Sequence, residues 1–154
     1  MAGNSNFRAY NYVQVSPTLA TSGVVPAEEF SAICDAGYRT VINLLPDDNK
    51  YAVRDEESIV SDLGMQYVHI PIDIEYPTVG DYELFEAAMD AASGCPAWVH
   101  CAANWRVSAF VALYAQMNLG WPRERAESLV AAIWEPTPPW LELAARIISR
   151  SERT

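Results

Sequence analysis

Most of the chemistry this sequence can do sits in thirteen consecutive residues, Trp98-Val99-His100-Cys101-Ala102-Ala103-Asn104-Trp105-Arg106-Val107-Ser108-Ala109-Phe110. A short apolar run enters, a helical pattern leaves, and the tight turn between them points several backbone N–H groups at one spot. The dipole of the following helix adds about half a positive charge there, so the place suits an oxyanion. Cys101 stands at its mouth. A field that holds an anion also favours thiolate over thiol, and Arg106 adds a fixed cation, which makes Cys101 a candidate nucleophile. Residues 102–108 (Ala102, Ala103, Asn104, Trp105, Arg106, Val107 and Ser108) form the candidate substrate-binding loop. His100 ends the strand and points away from Cys101, because neighbouring side chains of a strand face opposite sides, so the two do not readily share a ligand.

These residues resemble the cysteine-based protein tyrosine and dual-specificity phosphatases, whose signature is His-Cys, five residues, Arg, then Ser or Thr. Here four residues separate Cys101 from Arg106, one fewer than that pattern, while Ser108 keeps the family's separation of seven from the cysteine. Within the superfamily, Cys-Ala-Ala-Asn-x-Arg-Val-Ser-Ala-Phe, Ser22-Gly23, Ile42-Asn43-Leu44 and Ile133-Trp134-Glu135-Pro136 are similar to a group of bacterial phosphatase-like proteins of unknown function. That group is related to the phosphatase domain of β-lactamase-hydrolase-like proteins, and the resemblance runs from about Val15 to Trp140. It implies that Cys101 attacks phosphorus, that Arg106 and the loop N–H groups hold the phosphoryl oxygens, and that Ser108 hydrogen-bonds the sulfur. It also implies that His100 is a buried orienting residue. One residue at a helix start is about 100° of rotation, so Arg106 reaches the anion only if the loop rewinds. Asn104 stands where the family has Gly, and Asn tolerates left-handed backbone angles best among the other residues.

Such a reaction needs an acid for the departing oxygen and a base for water, which the resemblance places on a loop after an earlier strand. Asp73 follows Ile70-Pro71-Ile72, 28 residues before Cys101, and is the candidate; Glu75 is the alternative, and Asp81 is better read as a helix cap. The plain alternative for Asp73 is a solvated loop carboxylate, and for Ser108 an ordinary first-turn hydroxyl satisfying free N–H groups.

The elements that must position these residues are readable in outline. Val13–Val15, Thr40–Leu45, Tyr67–Ile72 and Pro96–His100 are short β-branched or apolar runs expected as buried strands. Pro26–Ala36 and Asp55–Leu63 read as helices stopped by Gly37 and Gly64. Thr78 and Asp81 form a capping box that launches a helix over Tyr82–Ala92. Alternation of strand and helix predicts a mainly parallel α/β sheet of four to five strands, dual-specificity-phosphatase-like, in one domain over 1–154. Three consecutive helices close it: Arg106–Asn118, Pro122–Trp134 and Pro138–Ser149, the last two separated by a turn at Pro136–Pro139.

With 154 residues, a chain of this size buries enough surface to need no disulfide or metal staple. Three cysteines, no Cys-x-x-Cys pair and two isolated histidines argue against a zinc site, and no glycine-rich phosphate motif supports a nucleotide cofactor. Cys34 shares an apolar stripe with Phe30 and Ile33, whereas Cys95 lies six residues before Cys101, where a protecting disulfide is conceivable beside a plain thiol. Trp98, Trp134 and Trp140 read as packing, and Trp105 either as a wall of the anion loop or as a replacement for a solvent-facing side chain.

The net charge of −10 opposes DNA, RNA and anionic membranes as partners, and no apolar run nears the roughly 20 residues that cross a bilayer. Met1–Tyr12 lacks the layout of a signal peptide, so a soluble, cytoplasmic protein is expected. Glu28–Asp90 holds fifteen acidic and three basic residues, against five and six in Cys95–Thr154, so an anion approaches through the neutral half. Weak, salt-sensitive capture of highly charged substrates and a preference for small or singly phosphorylated ones follow. The expected function is a cysteine-dependent phosphatase acting on phosphate monoesters through a phosphocysteine. The alternatives are a rhodanese-like sulfurtransferase, which the short Cys-to-Arg loop suits, and a non-catalytic oxyanion-binding protein. Neither the substrate class nor the oligomeric state is readable.

Overall fold

A computed structural model describes residues 7–152; the leader expectation for residues 1–6 lies outside that range. Five strands form one sheet in the order β1-β2-β5-β3-β4: β1 Val13–Ser16, β2 Leu19–Ser22, β3 Thr40–Asn43, β4 Gln66–His69 and β5 Ala97–His100. Only β1 runs antiparallel; β2, β5, β3 and β4 are parallel. The helices are α1 Phe30–Asp35, α2 Glu56–Asp62, α3 Val79–Ala91, α4 Trp105–Asn118, α5 Arg123–Ala131 and α6 Pro138–Glu152.

Alternation along the central strands sorts side chains into two cores. Ala20, Val41 and Trp98 face one side and pack with Phe30 and Ile33 of α1 and Val60 of α2. Leu19, Ile42 and Val99 face the other and pack with Phe85 of α3, Phe110 of α4 and Trp140 and Leu143 of α6. Parallel strands covered on both faces are apolar without alternation, which is why β3 and β5 read plainly from the sequence.

β2 did not, because Leu19-Ala20-Thr21-Ser22 carries two hydroxyls. All four residues are buried, and the hydroxyl of Ser22 donates to the Gly23 carbonyl at 2.8 Å and accepts from Trp98 Nε1 at 2.9 Å. Paired in this way, a hydroxyl is tolerated in the interior. The helix expected from Pro26 begins as a 3-10 turn at Ala27–Glu29, so only its second half is α-helical. The capping box is present: Asp81 N–H donates to Thr78 Oγ1 and Thr78 N–H to Asp81 Oδ2, both at 3.0 Å, and it starts α3 three residues earlier than expected.

Candidate functional site

Four parallel strands end on the same side of the sheet, where open α/β folds place their ligands. Backbone hydrogen bonds knit the four departing segments together: Val24 N–H to Ala102 O at 2.9 Å, Leu44 N–H to His100 O at 2.9 Å, and Ile72 N–H to Leu44 O at 3.2 Å. Arg106 closes the set by donating from Nε to the Ile72 carbonyl at 2.8 Å.

Cys101 is the first residue beyond β5, fully buried, its N–H on the Ser22 carbonyl at 3.3 Å. Behind it, Gly23 passes so near the loop that a Cβ there would lie 2.3 Å from Ala102 O, so only glycine fits. Asn104 takes left-handed angles (φ 70°, ψ 12°) and turns the chain into α4 at the next residue, as its residue type allowed. Its amide donates to Asn11 O at 2.9 Å and Thr21 Oγ1 at 3.1 Å, while the Asn11 amide returns a bond to Ala103 O at 3.0 Å. This reciprocal pair braces the loop against the start of the sheet. Among the described residues, no protein acceptor is bonded to the N–H groups of Ala102, Ala103, Asn104 and Trp105. Those of Asn104 and Trp105 belong to the start of α4 and those of Ala102 and Ala103 to the turn before it, and all are available to an anion.

Arg106 is buried and turns inward, toward the loop that carries Asp73. The bond to Ile72 uses one of five guanidinium N–H donors and leaves the others for an oxyanion. Trp140 of α6 grips the other side of the same loop, donating Nε1 to Ile74 O at 2.7 Å. Asp73 therefore lies between two residues whose carbonyls are pinned. It is exposed, and its Oδ1 accepts the N–H of Glu75 at 2.9 Å, which gives Glu75 a part in shaping the turn.

Ser108 donates its hydroxyl to the Trp105 carbonyl at 3.1 Å, three residues back, a bond made within the first turn of α4. Cys95 and Cys101 lie at opposite ends of β5 with four strand residues between them, well beyond disulfide reach, and all three cysteines are free. Cys34 is half-buried with its thiol on Leu63 O at 3.3 Å.

His100 is buried on the opposite face from the Cys101 core, as strand alternation predicts, and its Nε2 meets Glu56 Oε2 at 2.5 Å. Glu56 was missed because it lies in the acidic run Asp55-Glu56-Glu57, which reads as solvated. The available signal was its position four residues before the buried Val60, on the same helix face. Asp55 in left-handed angles (φ 60°) turns the chain so that Glu56 enters the core. Nearby, burial raises the Tyr67 hydroxyl above its ordinary pKa against the lowering effect of the Asn43 hydrogen bond, and the charges of Glu56, Asp47 and Glu57 raise it further. Trp105 is 42% exposed and stacks on Trp134, centroids 5.0 Å apart and planes 5° apart.

A five-stranded, mostly parallel sheet with the cysteine loop at the end of its central strand defines a protein-tyrosine-phosphatase-like α/β protein. The fold matches the crystal structure of Tk-PTP in its active form at a TM-score of 0.75, with 16% identity over 91% of this chain and 97% of that one. The chain belongs to the family described as "Beta-lactamase hydrolase-like protein, phosphatase-like domain", whose pattern matches residues 11–117. A crystal structure titled "Putative phosphatase (DUF442)" from Shewanella putrefaciens CN-32 is 36% identical, covers 94% of this chain and 95% of that one, and has a TM-score of 0.85. The beta-lactamase hydrolase-like protein of Xylella fastidiosa is 28% identical over 120 residues, 76% of this chain; the match spans 28% of that relative's length.

Proposed function

We propose that the protein is a cysteine-dependent phosphatase of phosphate monoesters. The observation that carries this reading is the double grip on the Asp73 loop by Arg106 and Trp140, side chains of α4 and α6, two of the three helices that follow the cysteine. Both grips act within one residue of Asp73, so the candidate acid and the anion loop share one frame. In the first step the Cys101 thiolate forms an S–P bond while the P–O bond to the leaving group breaks, and Asp73 gives its proton to that oxygen. The orphan N–H groups of residues 102–105 and the remaining Arg106 donors hold the non-bridging oxygens. In the second step water attacks phosphorus, Asp73 takes its proton, and the sulfur leaves as thiolate.

The partner in this reading is a phosphorylated small substrate or a singly phosphorylated group rather than a polyanion, given the −10 charge. No helix among the described residues is long and apolar enough to cross a membrane. A reducing, cytoplasmic setting in a bacterium suits the three free thiols. Cys101→Ser removes the nucleophile with little change in volume, and p-nitrophenyl phosphate turnover is expected to vanish while the fold persists. Turnover equal to the parent's refutes the assignment.

A second reading, sulfur transfer of the rhodanese kind, draws on the four-residue spacing between Cys101 and Arg106. Thiosulfate-to-cyanide transfer measured beside phosphate release separates the two. Phosphate-dependent thermal stabilisation with neither activity marks a binding protein.

A further inference from the structure

Beside the anion loop, α4, α5 and α6 enclose a groove of about 630 Å³, within the size range of small-molecule sites. It follows α4 from Ala109 to Gln116, so its near end lies one helical turn beyond Trp105. Ala109, Leu113, Val130 and Ala144 give it apolar walls, and Trp134 and Trp140 line it as well. The two tryptophans are the same side chains that stack on Trp105 of the anion loop and hold Ile74 of the acid loop. They touch each other edge-on, centroids 5.9 Å apart. The groove and the candidate reaction centre thus share a wall: Trp134 stacks on the anion loop and Trp140 holds the loop of Asp73.

We infer that this groove receives the apolar tail of the substrate, so that the preferred substrates are singly phosphorylated amphiphiles: phosphate at Cys101, an alkyl or comparably apolar chain along α4. The inference rests on the phosphatase reading and deepens it. A single monoester head carries less negative charge than a polyphosphorylated one, so it suffers less from the −10 field, while the tail supplies attraction that the field does not oppose. Full burial of a methylene is worth a factor of about three to four in affinity, so even partial burial along the groove accumulates quickly.

The test compares kcat/KM for butyl, hexyl, octyl and decyl phosphate, each below its micelle-forming concentration, with p-nitrophenyl phosphate as the reference. The ratio of decyl to butyl phosphate is expected to be at least about tenfold, carried mainly by KM. Ala144→Phe, which fills the groove, is expected to bring that ratio near one; because the readout is a ratio, a uniform loss of active protein cancels, and a melting curve checks the fold. Turnover of p-nitrophenyl phosphate with a flat chain-length series overturns the tail site but not the phosphatase. No turnover of any substrate overturns the phosphatase reading itself. A flat series together with a dimer that Ala144→Phe dissociates assigns the groove to a second copy and also overturns the inference.

Discussion

The two faces of the central sheet are built from the same strands yet hold opposite kinds of chemistry. On β5, Ala97 and Val99 face the core that also takes in Cys101, Phe110, Trp134 and Trp140, whereas Trp98 and His100 face α1 and α2. The first face meets the loops and leaves donors unpaired at its edge. On the second, most side-chain polar atoms are paired: Trp98 Nε1 is on Ser22, Asn43 accepts Leu45 N–H and donates to the Tyr67 hydroxyl, and His100 Nε2 is on Glu56, with His100 Nδ1 left without a partner among the described residues. A residue-by-residue switch of face along one strand thus separates the side of the proposed nucleophile from the side that supports it. Substitutions on the first should alter rate more than stability, and on the second stability more than rate.

The sharpest contrast sets Cys101→Ser against Trp98→Ala, three residues apart on the two sides. The serine variant should lose about 10⁴-fold or more in kcat with a melting temperature close to the parent's. Trp98 is fully buried, stacked on Tyr12 and edge-on to Phe7 and Tyr38, so its removal should cost about 3–5 kcal/mol of stability. Chemical denaturation and steady-state kinetics on both proteins check the pair; a tenfold or greater fall in kcat per folded Trp98→Ala molecule would erase the division.

Glu56→Gln probes the supporting face more finely. Glutamine keeps the shape and an acceptor for His100 but removes the charge, so a loss of about 2 kcal/mol in unfolding free energy is expected, with kcat changed less than about threefold. A large fall in kcat at unchanged stability would make His100 part of the chemistry.

What the sequence made legible follows the same division. The anion loop could be read because strand, turn and helix start are contiguous, and Asn104 announced its left-handed turn by residue type. The capping box likewise lies within four residues. By contrast, Arg106 and Trp140 hold backbone carbonyls, and a carbonyl has no letter in the sequence. Glu56 looked solvated because burial depends on a partner 44 residues away. β2 was hidden because its hydroxyls are satisfied only after folding, one of them by Trp98. The Ser108 hydroxyl bonds the Trp105 carbonyl because α4 starts at Trp105 and puts that carbonyl within its reach, again a backbone partner without a letter.

The smallest expected effect tests whether the acid loop is held by its ends or by its grips. Thr78 lies five residues after Asp73, at the point where the loop becomes α3, and its hydroxyl and N–H complete the capping box with Asp81. Thr78→Ala should cost about 1 kcal/mol of stability by leaving the first turn of α3 less well capped. If the grips on Ile72 and Ile74 set the position of Asp73, kcat should change less than about twofold, because neither grip passes through Thr78. Trp140→Phe removes one grip while keeping an aromatic ring against Phe110 and Trp134. In that background the cap becomes the nearer restraint, so the Thr78→Ala effect on kcat should grow, and the double mutant should depart from additivity by about 0.5 kcal/mol or more. Additive effects would mean that the cap and the Trp140 grip act on the loop independently, so that the cap does not take over when that grip is lost.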